Sequence, residues 1–150
     1  MAVFLVDTNV LVYAYDRSEG AKRQRAIDVL EAVGVEEIGV LSTQILGEFF
    51  FTVTRKIPTP LSIANASSAV MKYLESWPII EVTSTIVFEA LRGVEQHQMH
   101  YYDSAIWAAA RLNQIREILT EDGQHGRVIE GVRYLNPFHQ DFDMALLRVS

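Results

Sequence analysis

The stretch Val3-Phe4-Leu5-Val6-Asp7-Thr8-Asn9, near the start of the chain, indicates the fold class. Its four leading apolar residues predict a buried strand of a parallel sheet, because both faces of such a strand are covered and polar alternation is lost. Asp7 follows at the carboxyl end of this strand, the edge at which open α/β sheets bind their ligands. Asp is also a frequent helix N-cap, so this stretch alone leaves both a structural and a functional role open for Asp7.

Size and composition predict one globular domain that spans residues 1–150. A chain of 150 residues with 49% hydrophobic and 21% charged residues can bury a sizeable core. The absence of cysteine excludes disulfides and thiolate zinc sites and suits a reducing compartment. No apolar run approaches the roughly 20 residues of a transmembrane helix. We therefore expect a cytoplasmic protein with no membrane association.

The formal net charge of −6 opposes unspecific attraction to nucleic acids, because that attraction comes from Lys and Arg neutralising phosphates. A nucleic-acid substrate would therefore need a local group of cations. Arg17, Lys22, Arg23 and Arg25 follow the first strand and are the best candidates, with Arg55-Lys56 second. A solvated charged helix face is the alternative interpretation of this run.

Apolar strand segments alternate with helical segments along the rest of the chain, which predicts an α/β fold with a mainly parallel sheet. Further strands are predicted at 38–41, 79–82, 117–123 and 132–135. The strand at 117–123 ends in two acids and a turn glycine. Helices are predicted at 9–15, 21–33, 44–55, 61–77, from caps at 83–85 to about 97, and from 101 through 110, with a short docked helix at 144–147.

Glu48 lies in a helix whose apolar residues cover most of the circumference, which predicts a largely buried helix. A lone carboxylate in such surroundings is costly unless it is paired, hydrogen-bonded or bound to metal. The structural alternatives to a functional role are an ion pair with Arg55 or Lys56 around the end of the helix and a position on the remaining polar stripe of the helix.

Two further acids occur at positions that suit chemistry. Asp103, at a helix start, shares the predicted inward stripe of Ile106 and Ala110. Its alternative role is to complement the helix dipole. Asp122 follows the strand that begins at Glu117, much as Asp7 follows the first strand. We expect Asp7, Glu48, Asp103 and Asp122 to share one edge of the sheet.

The combined motifs resemble a PIN domain of the VapC type, a family of toxin ribonucleases from bacterial and archaeal toxin-antitoxin pairs. The resemblance extends from Val3 to Phe138 and leaves a tail at 139–150. The motifs are Asp7-Thr8-Asn9, Glu48, Tyr102-Asp103-Ser104, Leu119-Thr120-Glu121-Asp122 and Asn136-Pro137-Phe138.

The resemblance implies a three-layer α/β/α fold and a metal-dependent endoribonuclease. It implies that Asp7, Glu48, Asp103 and Asp122 are catalytic and hold Mg²⁺ or Mn²⁺, with Thr8 and Ser104 as supporting hydroxyls. It also implies a homodimer, an RNA substrate, and an antitoxin whose tail can place an Arg in the acidic pocket. We expect the RNA to contact Arg17, Lys22 and Arg23. Clustered carboxylates repel one another, so they must take up protons or bind a cation.

Two other functions remain open. A catalytically silent module with the same fold would use its acids to bind a basic partner. An acid-site phosphatase of the haloacid dehalogenase type is disfavoured, because Asn9 occupies the position of its second aspartate. Metal-dependent RNA cleavage would separate these alternatives.

Overall fold

A six-stranded, mainly parallel sheet runs through the computed structural model, which describes residues 2–148. The strands are β1 (Phe4–Val6), β2 (Gly39–Ser42), β3 (Ile79–Ile80), β4 (Glu117–Leu119), β5 (Val128–Ile129) and β6 (Val132–Leu135). Their order is β3-β2-β1-β4-β6-β5, and every pair is parallel except β5 with β6.

The opening stretch forms a central strand, as its sequence predicts. β1 pairs with β2 on one side and β4 on the other, and all of its residues are buried. Two covered faces explain why Phe4, Leu5 and Val6 show no polar alternation. Asp7 is therefore fixed at the middle of the carboxyl edge of the sheet.

Helices flank the sheet, so the predicted α/β class is confirmed. They are α1 (Thr8–Tyr15), α2 (Ala21–Val35), α3 (Thr43–Arg55), α4 (Ile63–Ser76), α5 (Ser84–His97) and α6 (Tyr101–Leu112), with short 3-10 helices at Arg17–Glu19 and Met144–Leu147. None of the helices within 2–148 has both the length and the apolar character that a membrane crossing requires.

The chain end packs back onto the fold through the 3-10 helix Met144–Leu147, which confirms the docked helix predicted there. Its Leu147 is fully buried, and the segment lies against α2. The tail positions 149–150 lie outside the described residues.

The structure adds one strand that the sequence analysis missed and shortens two others. β5 and β6 form a hairpin whose two-residue turn, Glu130-Gly131, has positive φ angles of 48° and 84°. Such turns favour Asn-Gly or Asp-Gly. With Glu at position 130, the sequence lacks this hairpin signal. The third strand ends at Ile80, and the fourth ends at Leu119, before the acidic residues begin.

Candidate active site

Asp7 serves both as a helix cap and as part of an acidic site. Its backbone N–H donates to the Leu119 carbonyl at 2.9 Å, which extends the β1–β4 ladder by one residue. Its Oδ1 accepts from the Thr8 N–H at 2.7 Å and caps α1. The residue is only 7% exposed. Asp7 is thus held rigidly, with its carboxylate largely withdrawn from water.

Thr120 is buried and hydrogen-bonds to several residues at the carboxyl edge of the sheet. Its hydroxyl donates to Oδ2 of Asp7 at 2.8 Å. The Thr120 hydroxyl oxygen also accepts from Nδ2 of Asn9 at 3.1 Å and from the Asp122 N–H at 3.0 Å. One hydroxyl therefore orients Asp7 and the start of the loop that carries Asp122.

Glu48 reaches the same site from α3. Its Oε1 accepts from the Thr8 hydroxyl at 2.8 Å, and its Oε2 accepts from Nε2 of Gln44 at 3.4 Å. Within residues 2–148 it forms no ion pair with Arg55 or Lys56, so that structural alternative is wrong. Neutral donors hold this carboxylate and leave its charge uncompensated.

Asp103 and Asp122 complete the group from the first turn of α6 and the loop after β4. Both are exposed, whereas the sequence analysis placed Asp103 on the inward stripe of its helix. Ile106 and Ala110 are buried as expected. The difference arises because the first turn of α6 lies at the rim of a pocket and the covered part of the helix begins at Ser104.

Two adjoining cavities meet at these acids, and Asp7, Asp103 and Asp122 line both. The smaller cavity measures about 170 Å³, and the larger, about 460 Å³, also includes Glu48 and Thr8. We call the site formed by Asp7, Glu48, Asp103 and Asp122 the acidic pocket.

The acidic pocket carries more negative charge than its surroundings neutralise. Burial raises the pKa of Asp7 to about 7, with smaller contributions from the charges of Asp122 and Glu48, although hydrogen bonds from Thr120 and Thr8 oppose the rise. Partial burial also raises the pKa of Asp122, and the charge of Asp103 adds to it. A carboxyl such as that of Asp7 either retains its proton near neutral pH or binds a cation.

The donor set of the acidic pocket fits a hard divalent cation. All of its candidate ligands are carboxylate oxygens, the atoms that Mg²⁺ and Mn²⁺ prefer. Among residues 2–148, however, no three acidic or histidine side chains form a ready-made metal cage. The arrangement suits an ion held by one or two carboxylates, with waters and a substrate phosphate as its other ligands.

Ser104 does not reach the acidic pocket, contrary to its expected role as a supporting hydroxyl. Its side chain is fully buried and donates to the Ala90 carbonyl of α5 at 2.7 Å. The next residue after Asp103 on a helix points about 100° away, so the two cannot face the same site. Ser104 instead joins α6 to α5, whereas Thr8 contacts the acidic pocket through Glu48.

The three cations that were expected to contact RNA lie in two different places. Nζ of Lys22 lies 2.5 Å from Oε2 of Glu121 and 5.0 Å from the centre of the Tyr13 ring. Arg17 and Arg23 line a different cavity. The structure therefore does not bring Arg17, Lys22 and Arg23 together at the acidic pocket.

Lys56, from the second group of candidate cations, lines the larger cavity. Thr120 and Arg127 escaped the sequence analysis as candidates, and Arg127 lines the smaller cavity with His97 and Gln124. Thr120 had a detectable signal, because it stands directly between a buried strand and the acids. Arg127 had none, since its position depends on the unrecognised hairpin.

Solved structures of toxins share this fold at low sequence identity. A toxin-antitoxin complex from Klebsiella pneumoniae matches with a TM-score of 0.65 and 20% identity, covering 90% of this chain and 98% of that chain. VapC20 of Mycobacterium tuberculosis, a toxin that cleaves the sarcin-ricin loop, matches with a TM-score of 0.62 and 16% identity, covering 80% and 90%. VapBC2 of Rickettsia felis, bound to a promoter DNA fragment, matches with a TM-score of 0.61 and 17% identity, covering 88% and 96%.

Sequence comparison gives the family directly. No curated protein matches the chain. The family model for the PIN domain, in contrast, matches residues 4–130, which include β1, β4 and all of the acidic pocket. The chain therefore belongs to the PIN domain family.

Proposed function

We propose that this protein is a metal-dependent endoribonuclease that hydrolyses RNA phosphodiester bonds. The observation that carries the proposal is the convergence of Asp7, Glu48, Asp103 and Asp122 on one pocket at the carboxyl edge of a parallel sheet. Four acids from four separate segments have no structural need to meet, and their mutual repulsion is costly without a cation. Membership of the PIN domain family supports the same conclusion.

The side chains of the pocket divide into fixed and accessible carboxylates. Asp7 and Glu48 are oriented by Thr120, Thr8 and Gln44, so they can hold a cation and its waters at a defined place. Mg²⁺ or Mn²⁺ bound there would activate a water and stabilise charge on the phosphodiester. In this proposal the exposed Asp103 or Asp122 accepts the proton of the attacking water. The oxygen of that water bonds to phosphorus as the P–O bond to the leaving ribose oxygen breaks, and the leaving oxygen takes up the proton that the acid accepted.

Replacement of single acids tests the activity. Asp7→Asn and Asp103→Asn should each lower RNA cleavage by about 100-fold or more, because each removes a group used in the transition state. Asp28→Asn is the matched control, since Asp28 is exposed on α2 and its side chain accepts a hydrogen bond from Gln24, outside the acidic pocket. Cleavage of a labelled RNA is measured with Mg²⁺ and with EDTA, and circular dichroism checks that each variant is folded.

The outcomes discriminate between the candidate functions. Equal cleavage by wild type and both acid variants would assign the activity to a contaminant and contradict the proposal. RNA binding without metal-dependent cleavage in any preparation would favour the silent interaction module. The phosphatase alternative gains no support, because the Asn9 side chain is engaged with Thr120 and the Glu121 N–H.

We further propose that the protein is the toxin of a type II toxin-antitoxin pair and forms a homodimer. Support comes from structurally similar proteins that were solved as toxin-antitoxin assemblies. Exposed apolar side chains also leave surface for protein partners, including Phe88 and Leu91 on α5 and Ile63 and Met71 on α4, which are 53–75% exposed.

The partner assignments have direct tests. Sedimentation equilibrium of the purified chain measures the dimer, and a monomer at tens of micromolar would contradict it. Co-expression with a short neighbouring reading frame should yield a complex in which RNA cleavage is suppressed. A complex that still cleaves RNA at the free rate would contradict the antitoxin role.

A further inference from the structure

A second charged cavity lies apart from the acidic pocket, at the other end of α1. Arg17, Arg23 and Lys72 line it, contributed by a 3-10 helix, α2 and α4, and its volume is about 410 Å³. Asn65 and Ser68 add an amide and a hydroxyl to its wall. We call this site the cationic cavity.

The positive charge of the cationic cavity is not neutralised within residues 2–148. No acidic residue lines it, and none of its three cations forms an ion pair or a side-chain hydrogen bond in this part of the chain. Asp16, the acid next to Arg17 in sequence, is buried and accepts from Ser18 instead. Three cations without partners are unexpected in a protein with a net charge of −6.

Arg23 gives an independent indication that a ligand belongs in this cavity. Its Nε is inaccessible to solvent and has no hydrogen-bond partner among the described residues. An unpaired buried donor is costly, more so when it is charged. An anion in the cavity that the Arg23 side chain lines would compensate the charge of this guanidinium, whose buried Nε has no internal acceptor among the described residues.

We propose that the cationic cavity binds a phosphate group. Arginine matches phosphate oxygens with paired N–H donors, and lysine adds a point charge. Asn65 and Ser68 can donate to the remaining oxygens. The group comes either from an RNA backbone or from free phosphate, and only the RNA source rests on the proposed ribonuclease function.

The position of the cationic cavity suits the RNA source. Thr8 at one end of α1 lines the acidic side, and Tyr15 at the other end lines the cationic cavity. Seven residues of α-helix span roughly 10 Å. That span corresponds to about three nucleotides of stacked strand at ~3.4 Å each. A short RNA strand is therefore long enough to span the distance between the two sites.

Two binding measurements with EDTA present test the cationic cavity without any cleavage. The test variant is Arg17→Gln with Lys72→Gln, both exposed residues outside the acidic pocket. The matched control, Arg116→Gln with Arg148→Gln, removes the same charge from exposed positions elsewhere. Arg23→Gln is a further single variant that removes the buried Nε donor.

The first measurement titrates inorganic phosphate by calorimetry at constant ionic strength. The test variant should bind about tenfold or more weakly than wild type, and the control should bind like wild type. The second titrates a single-stranded RNA across salt concentrations. The test variant should flatten the slope of log K against log salt by about 0.7, the contribution of one phosphate on a single strand.

A change in the RNA slope identifies backbone phosphate as the ligand, and a change in phosphate binding alone identifies a free phosphate. Values for the test variant and Arg23→Gln that match the control in both measurements overturn the proposal. A failed cleavage assay overturns the ribonuclease assignment but leaves the phosphate titration valid, so the two failures are distinguishable.

Discussion

At the scale of single residues, Asp7 explains how a structural and a chemical role coexist in one side chain. One carboxylate oxygen caps α1, while the other is held by Thr120. A cap needs only an acceptor, which Asn can also supply. Burial beside other acids is unnecessary for capping and raises the pKa of Asp7 to about 7. The excess negative charge is therefore the feature that points to function.

Asp7→Asn should make the metal-free protein progressively more stable than wild type as pH rises from about 4 to 7. Asp7 ionises near pH 3.8 when unfolded and near 7 when folded, so its ionisation opposes folding increasingly across this window and by a constant amount above it. The difference should reach on the order of 4 kcal/mol, from about three pKa units at ~1.4 kcal/mol each. Urea unfolding in EDTA at several pH values measures it.

Asp28→Asn controls for the general effect of removing a carboxylate from this acidic protein. Asp28 is exposed on α2, so Asp28→Asn measures the effect of losing one surface carboxylate, and the effect of Asp7→Asn is taken as the excess over it. A difference between Asp7→Asn and wild type that stays constant from pH 4 to 8 would contradict a raised pKa at Asp7.

At the scale of elements, the α5–α6 pair positions Asp103 at the rim of the acidic pocket. α6 buries a continuous run from Ser104 to Ala110 against its neighbours. Gly93 on α5 allows the close approach, because a Cβ at this position would lie 2.9 Å from the Trp107 ring and closer still to the Ser104 hydroxyl. The start of α6, and with it Asp103, depends on this contact.

Gly93→Ala should lower the free energy of unfolding by about 1–3 kcal/mol through overpacking. It should also disturb the hydrogen bond from Ser104 to the Ala90 carbonyl. Gly47→Ala is the matched control. Gly47 lies in α3 and a Cβ there would meet open space, so alanine should raise the free energy of unfolding by about 0.5–1 kcal/mol. Chemical denaturation measures both variants, and a stabilised Gly93→Ala would contradict the packing argument.

The elements that sequence predicts well are those with a strong local pattern. β1 and α3 follow from an apolar run and from helical periodicity, and both lie close to their predicted positions. β5 was missed because two residues and an uncommon turn leave no pattern. The positions of Asp103 and Ser104 depend on where α6 meets its neighbours, which periodicity alone does not determine.

At the scale of the whole molecule, the parallel topology assembles the acidic pocket. β1 and β4 are adjacent although more than a hundred residues separate them, and this pairing brings Asp7 to Thr120 and Asp122. Sequence motifs predicted this convergence because the carboxyl ends of parallel strands lie at one edge of the sheet. They could not predict the separation of Lys22 from Arg17 and Arg23, since it depends on where the start of α2 lies relative to Glu121 and α4.

Because the acidic pocket exists only in the folded chain, Mg²⁺ should stabilise the protein by binding the native state. At 100 times the Kd, the free energy of unfolding should rise by about 2.7 kcal/mol. For a chain of this size, that corresponds to a Tm increase of roughly 5–10 °C. Asp7→Asn and Glu48→Gln should reduce the increase, because these two carboxylates are the proposed holders of the cation, whereas Asp28→Asn should retain it. Scanning calorimetry with Mg²⁺, against NaCl of equal ionic strength, measures the effect. Equal Tm increases in wild type and both pocket variants would mean that Mg²⁺ acts elsewhere, by screening the net charge of −6.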